Sequence, residues 1–194
     1  MIKKGTETVI GEMLKCGIIK EEERELYRYA IQSFLLLLAP LGLGIVIGSF
    51  LGSAMQGILF ALPFMILRKF SGGYHARSIW ECLISSSFLF LLCMILASKI
   101  VCDWKLAIIT IIASMNLIIC SPIDHKNKRL TGNEKQSYKK VTANLVVLCL
   151  IIDSMFFLLK LNIYSVSFSL GIQLTAALQI PCVLEKYFVD QKYG

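Results

Sequence analysis

The chain contains only two histidines, and one of them, His75, lies seven residues before Cys82. An imidazole can take the proton of a neighbouring thiol, and the resulting thiolate attacks carbonyl carbon. The dipole of a helix favours the thiolate further when the cysteine lies in the first turn. We therefore expect Cys82 at the start of a long helix or in its first turn, and we consider His75 and Cys82 as a candidate base and nucleophile. The structural alternative is a loop histidine near lipid headgroups and a cysteine that only packs in a helix.

The seven-residue spacing restricts how this pair can be arranged. On one straight helix, residues seven apart share a face but are separated by about 10.5 Å along the axis. A hydrogen bond requires about 3 Å, so His75 must lie on a turn that returns toward Cys82. Gly72 and Gly73 can supply this turn, because glycine adopts backbone angles that other residues avoid. Their N–H groups can also face an oxyanion.

Other reactive side chains give weaker patterns. Neither His75 nor His125 belongs to an H-E-x-x-H helix or a similar cluster of ligands, so we expect no metal and no cofactor. The seven cysteines have no recurrent spacing, which predicts reduced thiols and no disulfide framework. Asp153 lies in an apolar run, where an ionisable group is costly and often functional. We interpret it as a structural polar contact, with a transport site as the alternative.

The elements that must position these residues are long apolar runs. Apolar residues make up 56% of the 194-residue chain, against roughly 45–50% in soluble domains. A membrane span needs about 20 helical residues, and the candidate spans are 31–51, 54–67, 83–101, 106–121, 141–159 and 163–184. The run 54–67 is short, and a re-entrant segment is the alternative there. The pattern predicts an all-α, polytopic membrane bundle of about six transmembrane helices.

The segments outside these runs complete the predicted organisation. Residues 1–30 are predicted to form a cytoplasmic amphipathic arm, which lies on the inner leaflet or packs under the bundle. Residues 31–184 form the transmembrane domain, with cytoplasmic loops at 68–82 and 122–140, and residues 185–194 form a short tail. Gly44, Gly48 and Gly52 share one helix face, which favours close helix packing within the chain, with a homodimer contact as the alternative.

The distribution of charge predicts the orientation of the chain. The net charge is +7. With six spans and both termini in the cytoplasm, the inner segments contain 17 of the 20 Lys and Arg residues and the outer connectors contain 3. This asymmetry follows the positive-inside rule of multi-pass membrane proteins. Basic connectors between apolar spans favour anionic membrane lipid as a partner and argue against nucleic acid.

Two segments together resemble the AgrB family of quorum-sensing peptide processors. The first is the run Gly-Gly-Tyr-His-Ala at 72–76, with Arg68 before it and Cys82 after it. The second is Ser-Pro-Ile-Asp-His-Lys-Asn-Lys at 121–128, which is similar to the proline-led basic loop of that family. Length, layout and basic loops also match, so the resemblance covers essentially the whole chain. Arg129 departs from the family pattern, in which proline often follows the Asn-Lys pair.

The resemblance implies a membrane-embedded cysteine endopeptidase of a bacterial-type cell membrane. It would cleave an AgrD-like propeptide on the cytoplasmic side and cyclise it to a thiolactone or lactone. Cys82 would be the nucleophile, carrying the acyl group as a thioester, and His75 the base. Two other functions stay open from the residues alone: a small transporter or channel with Asp153 on its path, and a scaffold that dimerises through the glycine face.

Overall fold

The computed structural model describes residues 2–51, 53–72, 79–123 and 132–184, without the side chains of residues 2–4, 32–33, 36–37 and 79–86. The described part is all-α, as the sequence predicts. Its helices are α1 (Ile2–Lys15), α2 (Arg24–Phe50), α3 (Ala54–Ser71), α4 (Ile79–Ala97), α5 (Trp104–Cys120), α6 (Gly132–Leu158) and α7 (Asn162–Ala177), with a 3-10 turn at Glu21–Glu23. Each of the six apolar runs therefore corresponds to one helix, from α2 to α7.

The chain forms two compact units, Met1–Pro40 and Leu41–Gly194. In the first unit, α1 ends at Lys15 because Gly17 adopts a φ of 67°. The N–H of Ile18 donates to the carbonyl of Met13 (3.0 Å) and that of Gly17 to Leu14 (3.0 Å). These are the two hydrogen bonds of a Schellman C-cap, which suits glycine. The amphipathic helix is thus shorter than the whole predicted arm.

Charged side chains connect α1 to the beginning of α2 within this unit. Glu7 accepts hydrogen bonds from Arg28 Nε (2.6 Å) and from an Nη of Arg24 (3.2 Å). The hydrogen bonds from Arg28 and Arg24 lower the pKa of the Glu7 carboxyl below its ordinary value. Arg28 also pairs with Glu25, and Arg24 also pairs with Glu21, each three residues earlier in the chain. The carboxylate of Glu7 therefore links α1 to the first turns of α2 through two charge-assisted hydrogen bonds.

In the second unit, α7 is the central helix. It contacts α3, α4, α5 and α6, and most of its residues are buried. Small residues permit this packing, since an added Cβ at Gly171 would overlap the carbonyl oxygen of Phe60 in α3. Two apolar clusters surround the helix, one around Phe60, Phe90 and Leu170 and the other around Leu67, Leu117 and Ile172.

The predicted glycine face of α2 packs against the beginning of α3 in the same chain. A Cβ at Gly44 would lie 2.5 Å from the carbonyl oxygen of Gly57, and a Cβ at Gly48 would lie 2.7 Å from that of Ser53. These glycines thus let the C-terminal part of α2 approach the start of α3 backbone to backbone. Gly52 lies outside the described residues. The interpretation of Gly44 and Gly48 as intramolecular packing residues is confirmed.

The outer surface of the second unit is strongly apolar. Isoleucine, leucine and phenylalanine side chains of α5 and α6, among them Ile109, Ile112, Ile119, Ile151 and Phe157, are at least 44% exposed. Among the described residues, two helical stretches are long and apolar enough to cross a membrane. One is α6, and the other is Asn162–Leu184, which contains α7, the turn at 178–179 and the helical residues 180–184. In the most apolar 18-residue stretch of the first helix, 17% of the residues are buried within the structure, against 61% in the second.

Candidate functional site

The backbone of Cys82 lies in the first turn of α4, which begins at Ile79. This position agrees with the prediction for the thiol, because a helix start carries a positive partial charge that favours a thiolate. The side chain of Cys82 is not described, and His75 lies outside the described residues. The contact between thiol and imidazole therefore stays a prediction.

The chain turns sharply just before the His75 segment. Helix α3 ends at Ser71, and Gly72 follows with a φ of 74°. The N–H of Gly72 still donates to the carbonyl of Arg68 at 3.3 Å. A Cβ at Gly72 would lie 2.7 Å from the carbonyl oxygen of Ile123, so both its backbone angle and its surroundings require glycine. Gly72 has the left-handed backbone angle that the predicted glycine turn requires. Gly73 lies outside the described residues, and the return of His75 toward Cys82 stays a prediction.

The end of α3 contacts the beginning of the predicted basic loop. The N–H of Ile123 donates to the carbonyl of Ser71 at 3.1 Å. The Nε2 of Gln179, just after α7, donates to the same carbonyl at 3.1 Å and to Oγ of Ser121 at 2.9 Å. Ser71, Ser121 and Gln179 are all buried. We call Ser71, Ser121, Ile123 and Gln179 the Gln179 cluster. It holds the starts of the two predicted loops, 68–82 and 122–140, side by side.

The amide of Gln179 has one unused atom. Its side chain is fully buried, and Oε1 has no hydrogen-bond partner among the residues that the structure describes. The orientation of the amide is fixed, because the carbonyl of Ser71 can only accept and must face the nitrogen. Sequence reasoning missed this residue, since one glutamine near the end of an apolar run forms no pattern. Its only signal is a polar side chain in the run 163–184.

Basic and aromatic side chains surround this end of α3. The guanidinium of Arg68 lies 5.5 Å from the centre of the Phe64 ring, and Lys69 Nζ lies 5.5 Å from that of Phe70. Both cations are in the last turn of α3, where the helix dipole favours positive charge. The rings of Phe70 and Tyr138 are 5.9 Å apart, which joins α3 to the first part of α6.

The predicted loop 122–140 is partly helical. Helix α6 begins at Gly132, so residues 132–140 belong to it. The sequence contains helix-favouring Glu, Lys and Gln there and no proline, and these polar residues extend the apolar helix toward its N-terminus. Residues 124–131, including His125 and Arg129, lie outside the described residues.

Asp153 forms a buried polar contact between α6 and α7. Its two carboxylate oxygens accept hydrogen bonds from Oγ of Ser165 (2.9 Å) and from Oγ of Ser169 (2.8 Å). The serines are four residues apart and thus lie on one face of α7. The carboxylate also lines a cavity of about 280 Å³ together with Asp103 and Thr110. The paired hydroxyls favour the structural interpretation over the transport site.

In the described part of the chain, the remaining thiols and carboxylates form neither a disulfide nor a cluster of metal ligands. The six cysteines whose side chains are described form no disulfide. Within the described ranges, no three His, Cys, Asp or Glu side chains come close enough to hold a metal ion. The Gln179 cluster, between the two predicted loops, is therefore the local structure most relevant to the predicted chemistry.

Comparison with known proteins gives one match that covers most of the chain. The family model for accessory gene regulator B, AgrB, matches residues 6–180 of the 194. No curated protein and no solved structure matches the chain significantly. The matched range includes the His75–Cys82 segment, the Gln179 cluster and Asp153. The chain therefore belongs to the AgrB family, whose members are membrane proteins that process propeptides in quorum sensing.

Proposed function

We propose that this protein is a membrane-embedded cysteine endopeptidase that cleaves an AgrD-like propeptide on the cytoplasmic side and cyclises it. Cys82 is the nucleophile and His75 is its base. The observation that carries the proposal is the contact of Ser71 with Ile123, since it brings the start of the His75 segment beside the start of the basic loop. A basic loop can hold an acidic peptide there by charge, within reach of the nucleophile.

The proposed reaction has two steps. The Cys82 thiol gives its proton to His75, and the sulfur bonds to the carbonyl carbon of the scissile peptide. The C–N bond then breaks, and the leaving amine takes the proton from His75, which leaves a thioester on Cys82. A thiol or hydroxyl inside the bound propeptide next gives its proton to His75, displaces the Cys82 sulfur and closes the ring, and the released sulfur takes the proton back from His75. Thioester exchange retains the acyl-transfer potential that hydrolysis would discard, so excluding water favours cyclisation.

The proposal includes a membrane arrangement. Six spans cross the bilayer, with both termini and the loops 68–82 and 122–140 in the cytoplasm next to anionic lipid. Residues 1–30 form a cytoplasmic arm, 31–184 the transmembrane domain and 185–194 a tail. The exposed apolar faces of α5 and α6 support this arrangement, because a soluble monomer rarely exposes such large patches. A homodimer would need a face other than Gly44 and Gly48, which pack inside the chain.

Separate alanine substitutions test the proposed pair. The protein is reconstituted in anionic vesicles with an AgrD-like propeptide, and cleavage is followed by mass spectrometry. We expect Cys82→Ala and His75→Ala each to lower the cleavage rate by at least about a thousandfold, because each removes a member of one catalytic unit. Cys93→Ala, on the same helix, is the matched control and should cleave normally. Cleavage that survives Cys82→Ala would exclude the mechanism.

A transporter is the second candidate, and the cavity that Asp153 lines is the observation in its favour. Asp153→Asn distinguishes the two functions, because it removes the charge and keeps an acceptor. A transporter would lose a measured flux of peptide or cation in vesicles. The peptidase should keep its cleavage rate.

A further inference from the structure

The cavity of about 280 Å³ beside Asp153 lies far from the Gln179 cluster. Its lining comes from the segment before α5, the start of α5, the end of α6 and the start of α7. The Gln179 cluster lies where α3 and α5 end and just after α7. Met94, near the end of α4, belongs to the same apolar cluster as Leu106, which lines the cavity. The backbone of Cys82, near the start of α4, is about 22 Å from its last residue along the helix axis. The cavity is therefore separate from the predicted nucleophile.

The hydroxyl groups that line this cavity have already used their hydrogens. Those of Ser165 and Ser169 donate to the two carboxylate oxygens of Asp153. Those of Thr110 and Ser154 donate to backbone carbonyls of their own helices. A hydroxyl has one hydrogen and two lone pairs, so these four groups can only accept further hydrogen bonds. The polar lining is thus suited to a ligand that donates.

The lining also contains negative charge. Asp153 is buried between α6 and α7. Asp103 caps α5 by accepting from the backbone N–H groups of Lys105 and Leu106. No Lys, Arg or His is among the described residues that line the cavity. Burying a carboxylate is unfavourable unless a cation pairs with it, so a cation that enters the cavity is stabilised there.

The size and the walls of the cavity indicate which kind of cation fits. Its volume is near the lower end for small-molecule pockets, about 300 Å³, and far exceeds that of a metal ion. Much of the remaining lining is apolar: Leu106, Ala107, Ile111, Leu150, Phe157 and Leu158. Phe157 and Leu158 are 44% and 78% exposed, so the cavity is reached from the surface of the bundle. An ammonium group attached to a compact apolar body matches both the carboxylate and the walls.

We propose that this cavity binds an organic ammonium ion, whose N–H groups donate to Asp153 and whose apolar body packs against Leu150 and Phe157. Asp153 then has two roles, because it links α6 to α7 and also pairs with the ligand. The site uses none of the residues of the proposed peptidase and stands independently of that function. In the proposed membrane arrangement, this end of the bundle faces away from the cytoplasm.

Isothermal titration calorimetry of the whole protein in detergent micelles tests the proposal. The probes are benzylammonium and benzyl alcohol, which have nearly the same shape and differ in charge, and titration into empty micelles corrects for partition into detergent. We expect the wild type to bind benzylammonium at least about tenfold more tightly than benzyl alcohol. Asp153→Asn should weaken the binding of benzylammonium at least about tenfold and that of benzyl alcohol less than about twofold, because it removes the charge and keeps the volume.

Three further variants separate binding from folding and from overall charge. Ala107→Leu fills part of the cavity without removing any hydrogen bond of its lining, so it should weaken the binding of both probes at least about tenfold. Ile109→Phe is its control, because it adds bulk at an exposed position of the same helix. Glu12→Gln is the control for Asp153→Asn, because it removes an exposed carboxylate of α1. Both controls should bind both probes as the wild type does, and thermal denaturation without probe identifies variants that do not fold.

Three outcomes would overturn the proposal. Equal affinities of the wild type for benzylammonium and benzyl alcohol would show an apolar cavity without a cation site. Unchanged binding of benzylammonium by Asp153→Asn, or by Ala107→Leu if Asp153→Asn does not fold, would place the cation elsewhere. Displacement of benzylammonium by Na⁺ at a concentration at which Cs⁺ has no effect would assign the site to a metal ion.

Discussion

Some residues of this chain could be singled out from the sequence alone, and others only from the structure. His75 and Cys82 stand out because histidine is rare here and the surrounding glycines are unusual. The first-turn position of Cys82 was predictable, since a long apolar run follows it. The partners of Asp153 were not, because they depend on which helices become neighbours. Gln179 was missed for the same reason: its partners are 58 and 108 residues away in sequence.

Asp153 tests the structural interpretation of a buried charge. Asp153→Leu leaves the hydroxyls of Ser165 and Ser169 without their acceptor. We expect a loss of about 1–2 kcal/mol in the free energy of unfolding, the range of buried hydrogen bonds between helices, measured by thermal denaturation in detergent. Asp153→Asn should lose less, because it keeps an acceptor.

The control for this prediction is Ser154→Ala. Ser154 is exposed on the same helix, and its hydroxyl donates to the carbonyl of Leu150 within that helix. It should leave the melting temperature nearly unchanged. A drop equal to that of Asp153→Leu would contradict the assigned role of the Asp153 contact.

At the scale of elements, apolar periodicity predicted the existence of the helices better than their ends. All six runs contain a helix, but α6 begins at Gly132 and not near 141. Local helix propensity determines where α6 begins, because polar helix-forming residues extend an apolar helix without lengthening the apolar run. The end of α1 at Lys15 depends on the left-handed backbone of Gly17, and hydrophobic spacing carries no signal for it.

The backbone contact between α2 and α3 predicts that one methyl group added at Gly57 lowers the free energy of unfolding. A Cβ at Gly57 would overlap the carbonyl oxygen of Gly44. Both contacting groups are backbone, so we expect Gly57→Ala to lower the free energy of unfolding by about 1–3 kcal/mol through overpacking. Thermal denaturation in detergent measures the change.

Gly42→Ala is the control for this packing prediction. Gly42 also lies in α2, but no atom lies within 4 Å of the position of an added Cβ there. It should be neutral or stabilise the helix by up to about 1 kcal/mol. Equal melting temperatures for Gly57→Ala and Gly42→Ala would show that the glycine contact does not form.

The pairing of Glu7 predicts a pH dependence of α1. The hydrogen bonds from Arg28 and Arg24 lower the pKa of Glu7 in the folded unit, so the pairing contributes stability above the ordinary glutamate pKa. This stability is lost as the pH falls through the lowered, folded pKa. Hydrogen exchange of the α1 amides should accelerate over that acidic range. The effect should weaken in high salt, because the partners are partly exposed.

Glu7→Gln should exchange faster at neutral pH and respond less to acid. Glu12→Gln is the matched control, because Glu12 pairs only with Lys15 within α1 among the described residues. It should exchange as the wild type does. If Glu7→Gln and the wild type exchange alike from neutral to acidic pH, the pairing does not stabilise the unit.

At the scale of the whole molecule, the distribution of charge predicts the orientation in the membrane, which helix packing does not. Helix packing identifies α7 as the central element of the second unit. No sequence pattern indicated this position, because small and polar residues such as Ser165 and Gly171 make the run of α7 only weakly apolar. The positive-inside asymmetry instead predicts which ends of the helices face the cytoplasm. Together they predict that the Gln179 cluster lies at the cytoplasmic end.

Cysteine labelling tests this orientation. We expect Lys99→Cys to react with a membrane-impermeant maleimide in intact cells and Ser137→Cys to react only after lysis, both in a Cys16→Ser background. Both positions are exposed, so differences in labelling report the side of the membrane. Labelling of Ser137→Cys in intact cells would contradict six spans with cytoplasmic termini.

The central claim is that Cys82 carries the acyl group, and trapping that intermediate tests it most directly. The wild-type protein is incubated with a propeptide whose internal thiol or hydroxyl residue is replaced by alanine, so that ring closure cannot release the thioester. After acid quenching, we expect mass spectrometry to find the N-terminal part of the propeptide on Cys82, and hydroxylamine to remove it. Propeptide cleavage without any adduct on Cys82, or with the adduct on another residue, would contradict the account.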